Sequence, residues 1–204
     1  MANDSRKSAQ SRQRILDAAA KAFRRKGYVA TRLAEIAAIA GLRAGSIYYH
    51  FGSKEEILEA VLDIGIRRIV DAVSAALAGL PEEATHRRRL TTAMTAHMTA
   101  LLRHGDYSSA NVRNFGQIPA PVRRRHLKVR RDYEELWRQL LRQAQAAGEI
   151  SPSADLKLLR LHLLGTLNWS IEWYRPAGAS VEAIAQTFAD FIFDGAAMAG
   201  EPAP

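Results

Sequence analysis

Gly41 interrupts an apolar period in a way that leaves few folds open to this chain. Upstream of it, Leu33, Ile36, Ala37 and Ala40 recur at helical spacing, so a short helix presents one apolar face. Glycine enters the left-handed backbone region without a steric cost, which suits the point where that helix stops. Leu42 follows as a plug, and the helical pattern restarts at Ala44 with Ile47 and Phe51 facing inward at i and i+4. Arg43, Ser46, Tyr48, Tyr49 and His50 are left on the outer face. Two short helices about a glycine turn, the second with a polar and aromatic outer face, predict a helix-turn-helix.

The run T-x-x-x-I-A-x-x-A-G followed by G-x-x-Y-x-H-F-x-x-K resembles the DNA-binding motif of the TetR family of bacterial one-component repressors. Thr31, Ile36, Ala37, Ala40, Gly41, Gly45, Tyr48, His50, Phe51 and Lys54 fall on that pattern. The matches stand at fixed spacing and cover about a quarter of the chain. Arg43 departs from it, because the family often carries Ser or Thr there. Arginine cannot cap a helix start as a hydroxyl does, but it reaches a phosphate or a guanine edge.

Charge supports this reading. The chain of 204 residues has a formal net charge of +8. Residues 1–54 hold 11 Lys/Arg and 3 Asp/Glu, whereas residues 55–204 hold 18 of each, so the whole excess lies with the helix-turn-helix. That is the electrostatic footprint of a surface that meets phosphates. There is no cysteine, hence no disulfide framework and no thiolate chemistry. The polar start lacks a signal-peptide core, and no apolar run approaches the roughly 20 residues that span a bilayer. A cytoplasmic protein without a membrane partner is expected.

Taken in order, the chain reads as all-α with about nine helices and no alternating strand pattern. Residues 1–7 are expected to be disordered. Ser8 to Lys26 forms a helix with Ile15, Leu16, Ala19 and Phe23 on one face, ended by Gly27. Thr31 is the expected N-cap of the next helix. Ser53 and Glu56 have the form of a capping box, which opens a long helix to about Ala78. Further helices are predicted from His86 to about His104, from Asn111 to Phe115 after a break at Gly105-Asp106, and from Pro121 to Gly148. Two more follow, from Asp155 to Tyr174 and, with Ser180 as cap, to Ala199. The expected domains are a helix-turn-helix DNA-binding domain over 8–52 and a ligand-binding and dimerisation domain over 53–200.

The resemblance implies what these domains do. The first binds a double-stranded DNA operator, with Thr31, Tyr48, Tyr49, His50 and Lys54 on phosphates. Arg32, Arg43, Ser46 and the small Ala44-Gly45 face bring the second helix to base edges. The second holds a small-molecule effector, and its last two long helices pair in a homodimer that matches a palindrome. No cofactor and no metal are expected. Candidate pocket residues are aromatic or polar groups on apolar faces: His97, Phe115, Tyr133, Trp137, Asn168, Trp169 and Trp173. Asn168 stands out, because an amide on so apolar a helix needs a partner. The stretch Leu167 to Pro176 is similar to a branch whose members often respond to acyl-CoA thioesters. The basic run Arg123, Arg124, Arg125 and His126, with Lys128, Arg130 and Arg131, is a candidate for the coenzyme A phosphates or a solvated helix face.

An enzyme is disfavoured by the lack of a nucleophile elbow, a glycine-rich phosphate loop or metal-spaced histidines among the six present. An architectural DNA-binding protein without an effector is the other alternative.

Overall fold

The computed structural model describes residues 2–103 and 105–195; the side chains at 2–4, 113 and 115 are outside the described set, as are all of 196–204. Among the described residues there are nine α-helices, one 3-10 turn and no strand. The helices are α1 (Ala2–Ala30), α2 (Leu33–Ala40), α3 (Ala44–His50), α4 (Lys54–Ala78), α5 (His86–Arg103), α6 (Gly105–Arg113), α7 (Ala120–Ala146), α8 (Leu156–Trp173) and α9 (Val181–Phe193). The turn at Phe115–Gln117 separates α6 from α7. No helix among the described residues is long and apolar enough to cross a membrane.

Helix starts and stops follow from local chemistry, with corrections. Gly27 (φ 79°, ψ 164°) breaks α1, as expected, but the helix starts at Ala2, so residues 2–7 are not the disordered lead predicted. Arg32, not Thr31, is the N-cap of α2, and it makes no side-chain cap bond. Ser53 Oγ accepts from Glu56 N at 3.1 Å, and the Glu56 carboxylate reaches back to Gly52 N at 2.8 Å, one residue before the usual partner. α5 ends at Arg103 and Gly105 starts α6 at once; Asp106 sits in its first turn, where a carboxylate suits the helix dipole, and pairs with Arg24 at 2.9 Å. The helix expected at Asn111 to Phe115 is thus the end of α6 followed by the 3-10 turn. Asp155 and Ser180 cap α8 and α9. Residue 104 and residues 196–199 of the expected last helix lie outside the described residues.

The chain forms two compact units. One comprises residues up to 68 together with 103–131; the other comprises 69–102 and the residues from 132 onward. The packing therefore places 103–131 with the N-terminal helices, a grouping that a single cut at 52/53 does not contain. In the first unit Ile15, Leu16, Phe23, Ile36, Ile47, Leu58 and Leu62 share a core with Tyr107 and Ala110 of α6. Gly65 permits this approach, since a Cβ there would come to 2.8 Å from the Tyr107 carbonyl oxygen. In the second unit Leu90, Met94, Met98, Trp137, Leu141, Leu163 and Leu167 are buried. There the Glu149 carboxylate accepts from the backbone of His86 (3.3 Å) and Arg87 (3.0 Å), so it caps α5 from a distant part of the chain. Arg87 also pairs with Asp190 of α9 at 3.1 Å and with Asp194.

Candidate nucleic-acid interface and effector site

The geometry of the reading head starts at the end of α2. Gly41 is left-handed (φ 65°), and Leu42 N donates to Ala37 O at 2.9 Å while Gly41 N donates to Ala38 O at 3.1 Å. These are the two bonds of a Schellman stop. Arg14 adds a side-chain donor to the Ala40 and Gly41 carbonyls. Leu42 is half-buried against the core. The next residue, Arg43, stands in extended backbone as the N-cap of α3 with no side-chain cap bond, as its chemistry predicts.

One face of α3 is anchored and the other is left over. Ile47 is fully buried and Phe51 nearly so, with the Arg12 guanidinium 4.8 Å above the Phe51 ring. Outward, Tyr49 is 81% exposed and Tyr48 63%. Arg32, Arg43 and Ala44 are exposed, and Ser46 and His50 are half-buried. The Tyr49 and His50 rings meet edge to face at 5.1 Å. Gly45 has an ordinary negative-φ helical backbone, and an added Cβ would meet nothing within 4 Å. Neither backbone nor packing therefore asks for glycine there.

Two residues assigned to phosphates have work inside the protein. Thr31 is 1% exposed, and its hydroxyl donates to Gly27 O at 2.8 Å. The Lys54 ammonium donates to the carbonyls of Tyr28 (3.0 Å) and Thr31 (2.9 Å), more distantly to Val29, and lies 4.3 Å from the centre of the Tyr28 ring. A cation at the first residue of α4 opposes that helix dipole, but here it meets carbonyls at the end of α1, where a cation is favoured.

In the second unit three of the predicted residues converge. His97, Tyr133 and Trp137 are buried, with His97 Nδ1 2.7 Å from the Tyr133 hydroxyl and ring centroids 5.9–6.0 Å apart. Nε2 of His97 and Nε1 of Trp137 are buried with no hydrogen-bond partner. Burial lowers the His97 pKa to about 4, and the neighbouring Asn168 side chain opposes this by less. Burial likewise raises the Tyr133 phenol. Asn168 is half-buried, whereas Trp169 is 60% exposed and Trp173 40%, so the two tryptophans face outward instead of joining this cluster. The side chain of Phe115 lies outside the described residues.

A cleft of about 480 Å³ lies elsewhere in the same unit, with Met94, Leu163, Leu167, Phe188, Phe191 and Ile192 in its walls. None of the seven predicted pocket residues lines it. Its traces in the sequence were apolar recurrences such as Leu159, Leu163, Leu167, and such a stripe reads equally well as core. The basic run on α7 is also less open than its composition implies. Arg125 pairs with Glu59, and His126 is 2% exposed beside Asp63 at 3.7 Å.

Comparison with known proteins agrees with this geometry. Residues 15–61 match the model for bacterial regulatory proteins of the tetR family, and residues 83–196 match a tetracyclin repressor-like C-terminal domain. The HTH-type transcriptional repressor KstR2 of Rhodococcus jostii is 30% identical over 205 residues, covering 96% of each chain. The crystal structure of the regulator PfmR from Thermus thermophilus superposes with a TM-score of 0.77 at 31% identity, covering 90% of this chain and 99% of that one. AibR, solved in complex with isovaleryl coenzyme A and operator DNA, shares the fold at a TM-score of 0.77 and 22% identity over 90% of this chain and 98% of its own. A basic head with a free outer face on α3, joined to a helical C-terminal domain of the matching type, is a DNA-binding transcription regulator, and the chain belongs to the TetR family.

Proposed function

We propose that this regulator represses as a homodimer on a palindromic operator and is released when a hydrophobic effector, an acyl-CoA thioester, binds its C-terminal domain. The observation that carries the DNA half is the outer face of α3. Arg43, Tyr48 and Tyr49 are exposed, Arg43 pairs with none of the described residues, and Gly45 has no internal reason to lack a side chain. Tyr48, Tyr49 and His50 would hold phosphates; Arg32, Arg43 and Ser46 would approach base edges past Ala44 and Gly45. Thr31 and Lys54 would act from within, by shaping the head.

The dimer reading is supported by one stripe on α8. Leu158, Leu161, Trp169 and Trp173 are exposed at helical spacing, with Gly165 exposed between them. Phe191 of α9 is 54% exposed as well. A second copy placed on this surface would remove large apolar side chains from water. The effector class is supported by the complex of AibR and by an apolar unit with polar atoms in its aromatic cluster. The division at 52/53 into a DNA-binding and a ligand-binding domain belongs to this proposal.

A single titration series tests it. Operator affinity measured against salt should fall steeply in log–log form, and isovaleryl-CoA or a longer acyl-CoA should release the complex while the free acid does not. A flat salt dependence overturns DNA binding through this head; stability of the complex to every CoA thioester overturns the effector class.

A further inference from the structure

The segment from the kink at Gly27 to Thr31, which leads α1 into α2, is held by the hydroxyl of Thr31 on Gly27 O and by side chains from elsewhere in the first unit. Asn114, at the end of α6, is fully buried. Its Oδ1 accepts from Tyr28 N at 2.8 Å, and its Nδ2 donates to Phe23 O at 3.3 Å and to Ala110 O at 3.1 Å. Gln117 accepts weakly from Val29 N at 3.4 Å. From the other side Lys54 takes the carbonyls of Tyr28 and Thr31, and the Tyr28 hydroxyl donates to Glu55 at 2.6 Å. Asn114 thus bonds the last turn of α1 before Gly27, the first residue after it, and α6 at once. Any rotation about Gly27 that re-aims α2 and α3 would tear a buried amide from backbone partners that nothing else would satisfy.

The other end of this grip is also fixed. Asn111 Nδ2 donates to Leu62 O of α4 at 3.0 Å, and Tyr107 donates to Asp17 of α1 at 2.6 Å. Segment 105–117 is therefore tied to α1 and α4, and it reaches the junction through Asn114. We infer that Asn114 is a positioning residue for DNA reading: it sets the angle at which α2, and α3 with it, is held against α1, so that segment 105–117 controls how far apart two heads present their recognition helices. This rests on the homodimer reading proposed above. It involves no residue of the outer face of α3.

Two heads must fall on successive major grooves, about 34–36 Å apart, so a change of angle is read as a change of preferred half-site spacing. The test is a panel of operators whose half-site separation is shortened or lengthened by one or two base pairs, measured with the full chain. The wild-type chain should show a sharp optimum. Asn114→Ala should lose about tenfold or more at that optimum and much less at neighbouring spacings, a loss of the size that a mismatched base pair produces. Its salt dependence should stay unchanged, because no phosphate contact is altered. Lys54→Met keeps the aliphatic stem, removes the clamp from the opposite side, and serves if Asn114→Ala does not fold; it should flatten the same optimum. A uniform drop across all spacings would mean a structural role only and overturns the inference. A wild-type chain with no optimum refutes the dimer reading itself, and this inference with it.

Discussion

The reading head and the aromatic centre of the second unit treat polar side chains in opposite ways. In the head, Thr31 and Lys54 donate to backbone carbonyls inside the protein, while Arg43, Tyr48 and Tyr49 remain outside. In the second unit His97, Tyr133 and Trp137 are all inside, yet two of their nitrogens have no partner. Under the proposed function, the head would work through what the fold leaves over at the surface. The second unit would work through what the fold buries and does not satisfy. A side chain's role is therefore read from exposure in one region and from unmet hydrogen bonding in the other.

The largest effect that separates the two regions is on stability. Trp137 is fully buried, and Trp137→Ala should destabilise the chain by about 3–5 kcal/mol through lost burial and the cavity left behind. Tyr49, 81% exposed, should change stability by less than about 0.5 kcal/mol when replaced by Ala, yet weaken operator binding clearly. Chemical denaturation and DNA titration of both variants decide this. Equal destabilisation would remove the contrast.

The next effect is on pH. His97 has a pKa of about 4 in the folded chain because burial disfavours its charged form, against 6.5 when exposed. Below pH 6.5 the unfolded chain takes up a proton that the folded chain does not, so stability falls as pH drops from 6.5 towards 4. Below about 4 both states are protonated and the difference stops growing. The contribution is on the order of 3 kcal/mol over that window. His97→Leu should remove it, and the difference between wild-type and variant unfolding curves from pH 7 to 4 measures it. Parallel curves would mean that His97 is solvated in the folded chain.

What was legible in the sequence follows from the range of the interactions involved. Gly41, Ile47 and Phe51 act on neighbours within a turn or two, so the helix-turn-helix was readable from spacing alone. So were the Ser53–Glu56 and Ser180 caps. Asn114 meets Tyr28 across 86 residues and Glu149 meets Arg87 across 62, and no local pattern encodes such pairings. The internal partners of Lys54 were invisible for the same reason, because they are carbonyls, which every residue carries. The aromatic cluster was half legible. Polar groups on apolar helices picked out His97 and Asn168, but only packing could show that Trp169 and Trp173 turn the other way. The start of α6 at Gly105 was missed because the pattern could not show Asp106 paired to Arg24 across 82 residues.

The smallest effect is also the most direct probe of the head. Glycine inside a helix destabilises it by about 1 kcal/mol relative to alanine. Gly45 stands in the first turn of α3 with an ordinary backbone and open space around it, so Gly45→Ala should stabilise the free protein by about 0.5–1 kcal/mol. If the bare backbone is there so that DNA can approach closely, the same methyl should weaken operator binding even as the melting temperature rises. Opposite signs from one substitution are hard to produce by any general disturbance of the fold. A variant that is more stable and binds as well as the wild type would show that α3 meets DNA through its side chains alone, with Gly45 standing clear of the groove.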